Sequence, residues 1–236
     1  EDSLYQWAMY NIIKLKEVDS TNEWIKRNWE KLSDFDGVMA SIQTAGKGRG
    51  SNTWSSPPGG LWLSIMIKEF SDSNGALSLL TSVSIAEALE NQGLYVELKW
   101  PNDIVISPRK LGGILIEGIN GGFIIGIGLN LNVELSEFPD SLKDKITTAR
   151  EIRRRDLPID DIAIEIMSGI RNGRDELDRI YARYLGLNQD IGRMVRIISP
   201  KETFNGRVIG IQIDGGIRIR NRGVERTFYS GSLIYV

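Results

Sequence analysis

Short apolar runs of strand length dominate the chain, and only a few stretches switch to a helical period. Residues 12–18, 38–42 and 61–67 each predict a strand. Between the first two, Ser20-Thr21-Asn22-Glu23 has the spacing of a capping box and predicts a helix start, with Trp24, Ile25 and Leu32 toward the core. Leu77, Leu80, Ile85 and Leu89 predict a helix over 74–91, closed by Gly93. Strands over 94–100, 104–106, 111–119 and 123–133 follow, with Gly121-Gly122 turning the last two into a hairpin. Asp156 and Pro158 have the arrangement of a helix cap followed by a proline in the first turn. Ile159, Ile162, Ile166 and Ile170 make the stripe of that helix, which Leu177, Ile180, Tyr181 and Tyr184 continue beyond Gly173. From about residue 191 the pattern returns to short alternating strands, with a hairpin turn at Asp214-Gly215-Gly216. The whole predicts an α+β protein: a mixed β-sheet flanked by helices over residues 1–188, then a small β-barrel over residues 189–236.

Composition narrows the chemistry more than the fold. With 236 residues and 41% apolar content the chain has enough material for a real core. The 29 basic and 31 acidic residues nearly cancel, which disfavours non-specific DNA or RNA binding. No apolar run approaches the roughly 20 residues of a membrane span, and the N-terminus lacks the apolar region of a secretory signal, so a cytoplasmic protein is expected. Histidine and cysteine are both absent. That removes disulfides, a thiol nucleophile, His-based zinc and a Ser-His-Asp triad. Catalysis then falls to Lys, Arg, Asp, Glu, backbone donors or a carboxylate-bound Mg²⁺, which suits a nucleophile already carrying its charge.

Three separated segments combine glycine with charge or amide. In QTAGKGRG, Gly46, Gly48 and Gly50 alternate with Lys47 and Arg49, letting backbone N–H groups and two cations approach a phosphate-bearing ligand. The run is neither a P-loop, since Lys47 is followed by Gly48, nor a dinucleotide fingerprint. Such a loop also serves as a plain solvated connection. KWPND at 99–103 offers a rigid turn with polar tips, and Lys110 stands beside Leu111-Gly112-Gly113.

Taken together with Ser20-Thr21-Asn22, Trp54 and the following SSPPGGLWLSI, and GIGLNLN at 126–132, these segments resemble the biotin protein ligases, also called biotin–[acetyl-CoA-carboxylase] ligases. The resemblance runs over essentially the whole chain, and KWPND followed by KLGG is its most specific part. It implies a class II synthetase or biotin–lipoate ligase-like catalytic domain with an SH3-like C-terminal barrel. It also implies activation of biotin by MgATP to biotinyl-5′-AMP, then transfer to one lysine of a biotin carboxyl carrier domain. By that resemblance Lys110 steadies the carboxylate and phosphate, and Arg49 holds the adenylate. Ser20, Thr21, Asn22, Gln43, Gly46, Lys47, Gly48, Trp62 and Gly113 fall to the biotin side. Trp54, Asn102, Asp103, Asn130 and Asn132 fall to the nucleotide side, with Arg49 and Lys110 shared and Asp103 a Mg²⁺ partner. Ser20 also reads as a simple helix cap, Trp62 as a core tryptophan, and Asn102-Asp103 as turn formers after proline.

The family loop commonly carries arginine where this chain has Lys47 and Asn52, and glycine where it has Ser51, so looser adenylate retention is expected. The loop's three glycines in five residues predict mobility without ligand. About ten residues precede the first predicted strand, too few for a winged helix, so a stand-alone ligase that does not bind DNA is expected. A free sheet edge would suit a homodimer or the acceptor domain. The competing readings are a lipoate or octanoate ligase of the same fold and a non-catalytic biotin-binding regulator.

Overall fold

The computed structural model describes residues 10–70, 73–119 and 121–236; the residues expected ahead of the first strand lie outside the described ones, apart from its immediate neighbours. Two sheets organise the chain. The larger has seven strands in the order β1-β2-β3-β7-β6-β5-β4: β1 Ile12–Val18, β2 Gly37–Gln43, β3 Leu61–Ile67, β4 Glu97–Lys99, β5 Asp103–Ile106, β6 Arg109–Ile119 and β7 Gly122–Leu129. Only β1 and β2 run parallel; the other neighbours are antiparallel, which makes the sheet mixed as expected.

Helices cover both faces. On one side lies α1, Thr21–Asn28, packed with Trp29 onto Val38, Met66 and Ile124. On the other lie α2 Asn74–Asn91, α3 Ile159–Gly173 and α4 Leu177–Leu187, whose Leu77, Leu80, Ile162, Ile166 and Ile180 meet Leu63, Ile65, Ile125 and Ile127. Strand period explains the division, because successive side chains point to opposite faces. In β3 the odd residues 61–67 enter the large core, while Trp62, Ser64 and Met66 face the α1 side. Burying these aliphatic side chains stabilises the fold by roughly 1.5–3 kcal/mol each.

The second sheet is all antiparallel, in the order β11-β10-β9-β8-β12: β8 Met194–Ile198, β9 Thr203–Ile211, β10 Ile217–Asn221, β11 Val224–Phe228 and β12 Ser232–Tyr235. Before it, residues 188–190 run beside β4: Leu98 and Asn188 form a parallel bridge, and the Gln189 N–H donates to the Leu98 carbonyl at 3.0 Å. The connection thereby covers the exposed edge of the main sheet.

Two helix starts differ from expectation. Ser20 takes the cap position without a side-chain hydrogen bond into the helix, and Glu23 pairs with Lys26 and Lys47 while the Ser20 N–H it would have met donates to Asp19 at 2.8 Å. Asp156 does not cap α3; Pro158 holds that position and Asp156 lies within 3.5 Å of Arg150. The predicted strands over 94–100 and 123–133 shorten to β4 and β7, and of the residues beyond them Trp100 and Asn130 line the site.

Candidate active site

The α1 face of the main sheet carries a cavity of about 510 Å³. Its floor is built from residues two apart on neighbouring strands. Gly113 of β6 pairs with Gly128 of β7, and Leu115 with Gly126, while Ser64 of β3 lies opposite Gly126. These glycines are spaces for other side chains. A Cβ on Gly126 would stand 2.5 Å from Asn22 Oδ1, and one on Gly128 would stand 2.6 Å from Trp54 Nε1. At Gly113 it would meet the end of Lys110 at about 3.2 Å.

One end of the cavity is neutral and fully wired. Gln43 Oε1 accepts from the Thr21 N–H at 2.8 Å and its hydroxyl at 3.0 Å, and Gln43 Nε2 donates to Ser56 Oγ at 2.8 Å. The buried Ser64 hydroxyl lies 2.7 Å from Thr21 Oγ1 and also meets Asn22 Oδ1. Asn22 Nδ2 donates to Glu117 at 2.7 Å, and Glu117 in turn holds Lys26 at 2.7 Å. Lys26 and Lys47 both bond to Glu23, which lowers its pKa and draws the glycine-rich loop toward α1. Beneath this end Asp19 forms a paired contact with Arg27, which holds its carboxyl down at about 2.

The other end is charged. Lys110 Nζ lies 2.6 Å from Asp103 Oδ1 and 5.0 Å from the centre of a Trp54 ring. Its backbone is fixed by the Lys145 carbonyl and the Thr147 N–H, each at 2.9 Å. Arg49 is partly buried, with its pKa lowered by desolvation and partly restored by Asp103, and it donates to the Gly231 carbonyl at 3.3 Å. The loop that carries it is a small hairpin closed by a Lys47–Thr53 bridge and by Gly48 N–H to Asn52 O at 2.8 Å. Among the lining residues, five cations (Lys47, Arg49, Lys99, Lys110, Lys145) stand against one carboxylate, Asp103. A chain of formal charge −2 has therefore gathered positive potential in one concave place.

Two buried polar atoms have no partner here: Trp54 Nε1 and Asn130 Oδ1. Asn130 is 1% exposed and its Nδ2 donates to the Thr147 carbonyl at 3.1 Å. Buried polar atoms are normally paired, so this donor and this acceptor are left open to a further partner. No cluster of three or more acidic or other metal-ligating residues exists among the described residues. A single carboxylate fits an ion carried mainly by substrate phosphates, as magnesium often is, better than a protein-held metal cage.

The cavity gathers Ser20, Thr21, Asn22, Gln43, Lys47, Gly48, Arg49, Trp54, Asn102, Asp103, Lys110, Gly113 and Asn130 from the expected set. Three others lie outside its wall. Trp62 sits on the site-facing side of β3 but is fully buried, its Nε1 donating to the Pro57 carbonyl at 3.0 Å under Val133, Phe138 and Ile146. It is a core residue supporting Phe138 and Ile146, which do line the cavity. Gly46 packs against the Trp54 carbonyl, where a Cβ would stand at 2.5 Å. Asn132 grips the Leu157 backbone through both amide atoms, at 2.8 and 2.9 Å.

Sequence reasoning missed the floor glycines 126 and 128, although glycine at i and i+2 in a strand is a legible sign of one bare face. It also missed Asp190. This buried carboxylate accepts from Trp100 N–H at 2.7 Å, Tyr235 Oη at 2.6 Å and Asn188 Nδ2 at 3.0 Å, while burial pushes its pKa up.

The pattern that defines the biotin/lipoate A/B protein ligase family matches residues 15–134. Over 210 residues the chain is 30% identical to the bifunctional ligase/repressor BirA of Bacillus subtilis, covering 81% of this chain but only 63% of that relative, less than two thirds of its length. The corresponding protein of Salmonella typhimurium is 30% identical over 238 residues, covering 94% of this chain and 73% of the relative. A biotin protein ligase from Aquifex aeolicus, solved in complex with biotin and ATP, matches with a TM-score of 0.87 at 30% identity over 96% of this chain and 99% of that one.

Proposed function

Because the chain belongs to the biotin/lipoate A/B protein ligase family, we propose that it is a biotin protein ligase, activating biotin with ATP and passing it to a lysine of a biotin carboxyl carrier domain. The observation that carries this reading is one cavity with a wired neutral end and a cationic end. A ureido ring needs neutral donors and acceptors, which Thr21, Asn22 and Gln43 offer beside Ser64. A carboxylate meeting a triphosphate needs cations, which Lys110 and Arg49 supply.

In the first step a biotin carboxylate oxygen attacks the α-phosphorus and the bond to pyrophosphate breaks, giving the mixed anhydride. No base is required, in keeping with the absence of histidine. Lys110 would leave Asp103 in part to stabilise charge gathering on the carboxylate and phosphate oxygens, a contribution worth about 10²- to 10³-fold in rate for one such donor. In the second step the acceptor lysine amine attacks the acyl carbon, AMP leaves and the amine loses its proton. Arg49, tethered to Gly231, would hold the adenylate between steps. Trp54 and Asn130 would meet the nucleotide through their unpaired Nε1 and Oδ1. Asp103 would be the protein's contact to magnesium, which would supply neutralisation of phosphate charge.

The test is biotin-dependent ATP–pyrophosphate exchange beside a lipoate control. Exchange with biotin alone is expected. Exchange with lipoate alone would move the substrate, and none with either from folded protein would leave a binding protein.

A further inference from the structure

The second sheet reaches the cavity wall through one buried anion. Asp190 is 0% exposed and lies in the connection between the two sheets, 90 residues beyond the turn it holds. Its three donors come from three places: Trp100 at the start of the wall segment 100–103, Asn188 in the connection, and Tyr235 in β12. Two cations also lie over the Tyr235 ring, Lys99 Nζ at 4.7 Å and the Arg193 guanidinium carbon at 4.8 Å from its centre. The Trp100 indole N–H is tied to the same sheet, donating to the Gly215 carbonyl at 2.8 Å. Two residues beyond Trp100 the chain turns to Asn102, bonded to the Ile114 carbonyl, and then to Asp103, the partner of Lys110.

Burying a carboxylate is expensive unless it is fully hydrogen-bonded, and an apolar side chain would serve cohesion alone at least as well. What the anion adds is direction: it fixes one backbone N–H at the head of the turn that carries Asp103. We propose that Asp190 is a positioning residue for adenylate formation, setting the 100–103 turn from the C-terminal sheet with Tyr235 as its strut. Asp190 is absent from the residues lining the cavity, and this role rests on the ligase reading above.

The test compares Asp190→Asn and the milder Tyr235→Phe with the wild-type protein, by hydrogen–deuterium exchange of ligand-free protein and by pyrophosphate-exchange kinetics. Each variant is expected to expose amides of 99–103 at least tenfold faster while α2 stays protected. The rate of exchange at saturating substrates should fall roughly tenfold, the size of losing one charge-assisted hydrogen bond, with biotin affinity within about twofold of wild type. Unchanged protection at 99–103 in Tyr235→Phe would overturn the proposal, as would loss of protection throughout the chain in step with activity. Biotin affinity falling as far as the rate would overturn it too. A wild-type protein without biotin-dependent exchange would instead sink the ligase reading, with the amide measurement still reporting on the turn.

Discussion

The two ends of the cavity solve opposite problems. At the neutral end, Thr21, Asn22, Gln43 and Ser64 bond to one another before any ligand arrives, so their orientation is set by the fold. At the charged end, Lys110 is paired with Asp103 and Arg49 touches only a distant backbone carbonyl among its hydrogen bonds. On the ligase reading the first end selects by preorganised shape and donors, and the second acts on charge that develops during reaction. Changes at the two ends should therefore separate in kinetics: the neutral end in biotin affinity, the charged end in turnover.

The largest expected effect is Lys110→Ala, which should fold normally and form adenylate at less than about a hundredth of the wild-type rate. Near-normal pyrophosphate exchange would erase the distinction between the ends. Next comes Gly126→Ala, whose new Cβ has to displace Asn22. Overpacking of this kind costs about 1–3 kcal/mol, so biotin binding measured by calorimetry should weaken roughly 5- to 150-fold. Gly128→Ala instead meets Trp54 and should weaken nucleotide binding; an equal loss of biotin affinity would mean the ends are not independent. A smaller effect belongs to Gln43→Ala, which removes the acceptor of two Thr21 bonds. The biotin KM should rise roughly five- to tenfold with turnover nearly unchanged.

The smallest lies under the neutral end, at Asp19. Its carboxyl is lowered from 3.8 to about 2, first by the Arg27 hydrogen bond. A depressed carboxylate adds stability that is present above pH 3.8 and lost as pH falls toward 2. The pair is about half exposed, so Asp19→Asn should lower the melting temperature by only about 1–3 °C at pH 7. The difference should shrink below pH 3.8 to a small remainder at pH 2; a difference undiminished there would assign the effect to packing.

Local patterns were the readable part. Short apolar runs marked β1 and β3 at their observed ends, and helical spacing marked α2 likewise, because each depends on residues a few positions apart. Lys99, Asp103, Lys110 and Gly113 reach the cavity from the neighbouring strands β4, β5 and β6, and Lys47, Gly48 and Arg49 from the loop after β2. Three failures share a different cause. Glu23 was free to cap by spacing, yet Lys47, 24 positions away, captured it. Trp62 faced the correct side of its strand, but the segment reaching Ile146 covers it. Asp190 looked like an ordinary polar residue in a connection, and nothing nearby announces that Trp100 and Tyr235 converge on it. Long-range competition for a partner is invisible in a window of sequence.

The edge-covering run at 188–190 also gives the protein a timetable. The turn at 100–103 waits for a connection about 90 residues later in the chain, and for Tyr235 a further 45 beyond Asp190. At roughly 5–20 residues per second of synthesis, Lys110 and Arg49 exist for several seconds before the wall between them is braced. On the ligase reading, a nascent chain would carry Lys110 early and the bond that fixes its 100–103 neighbour last.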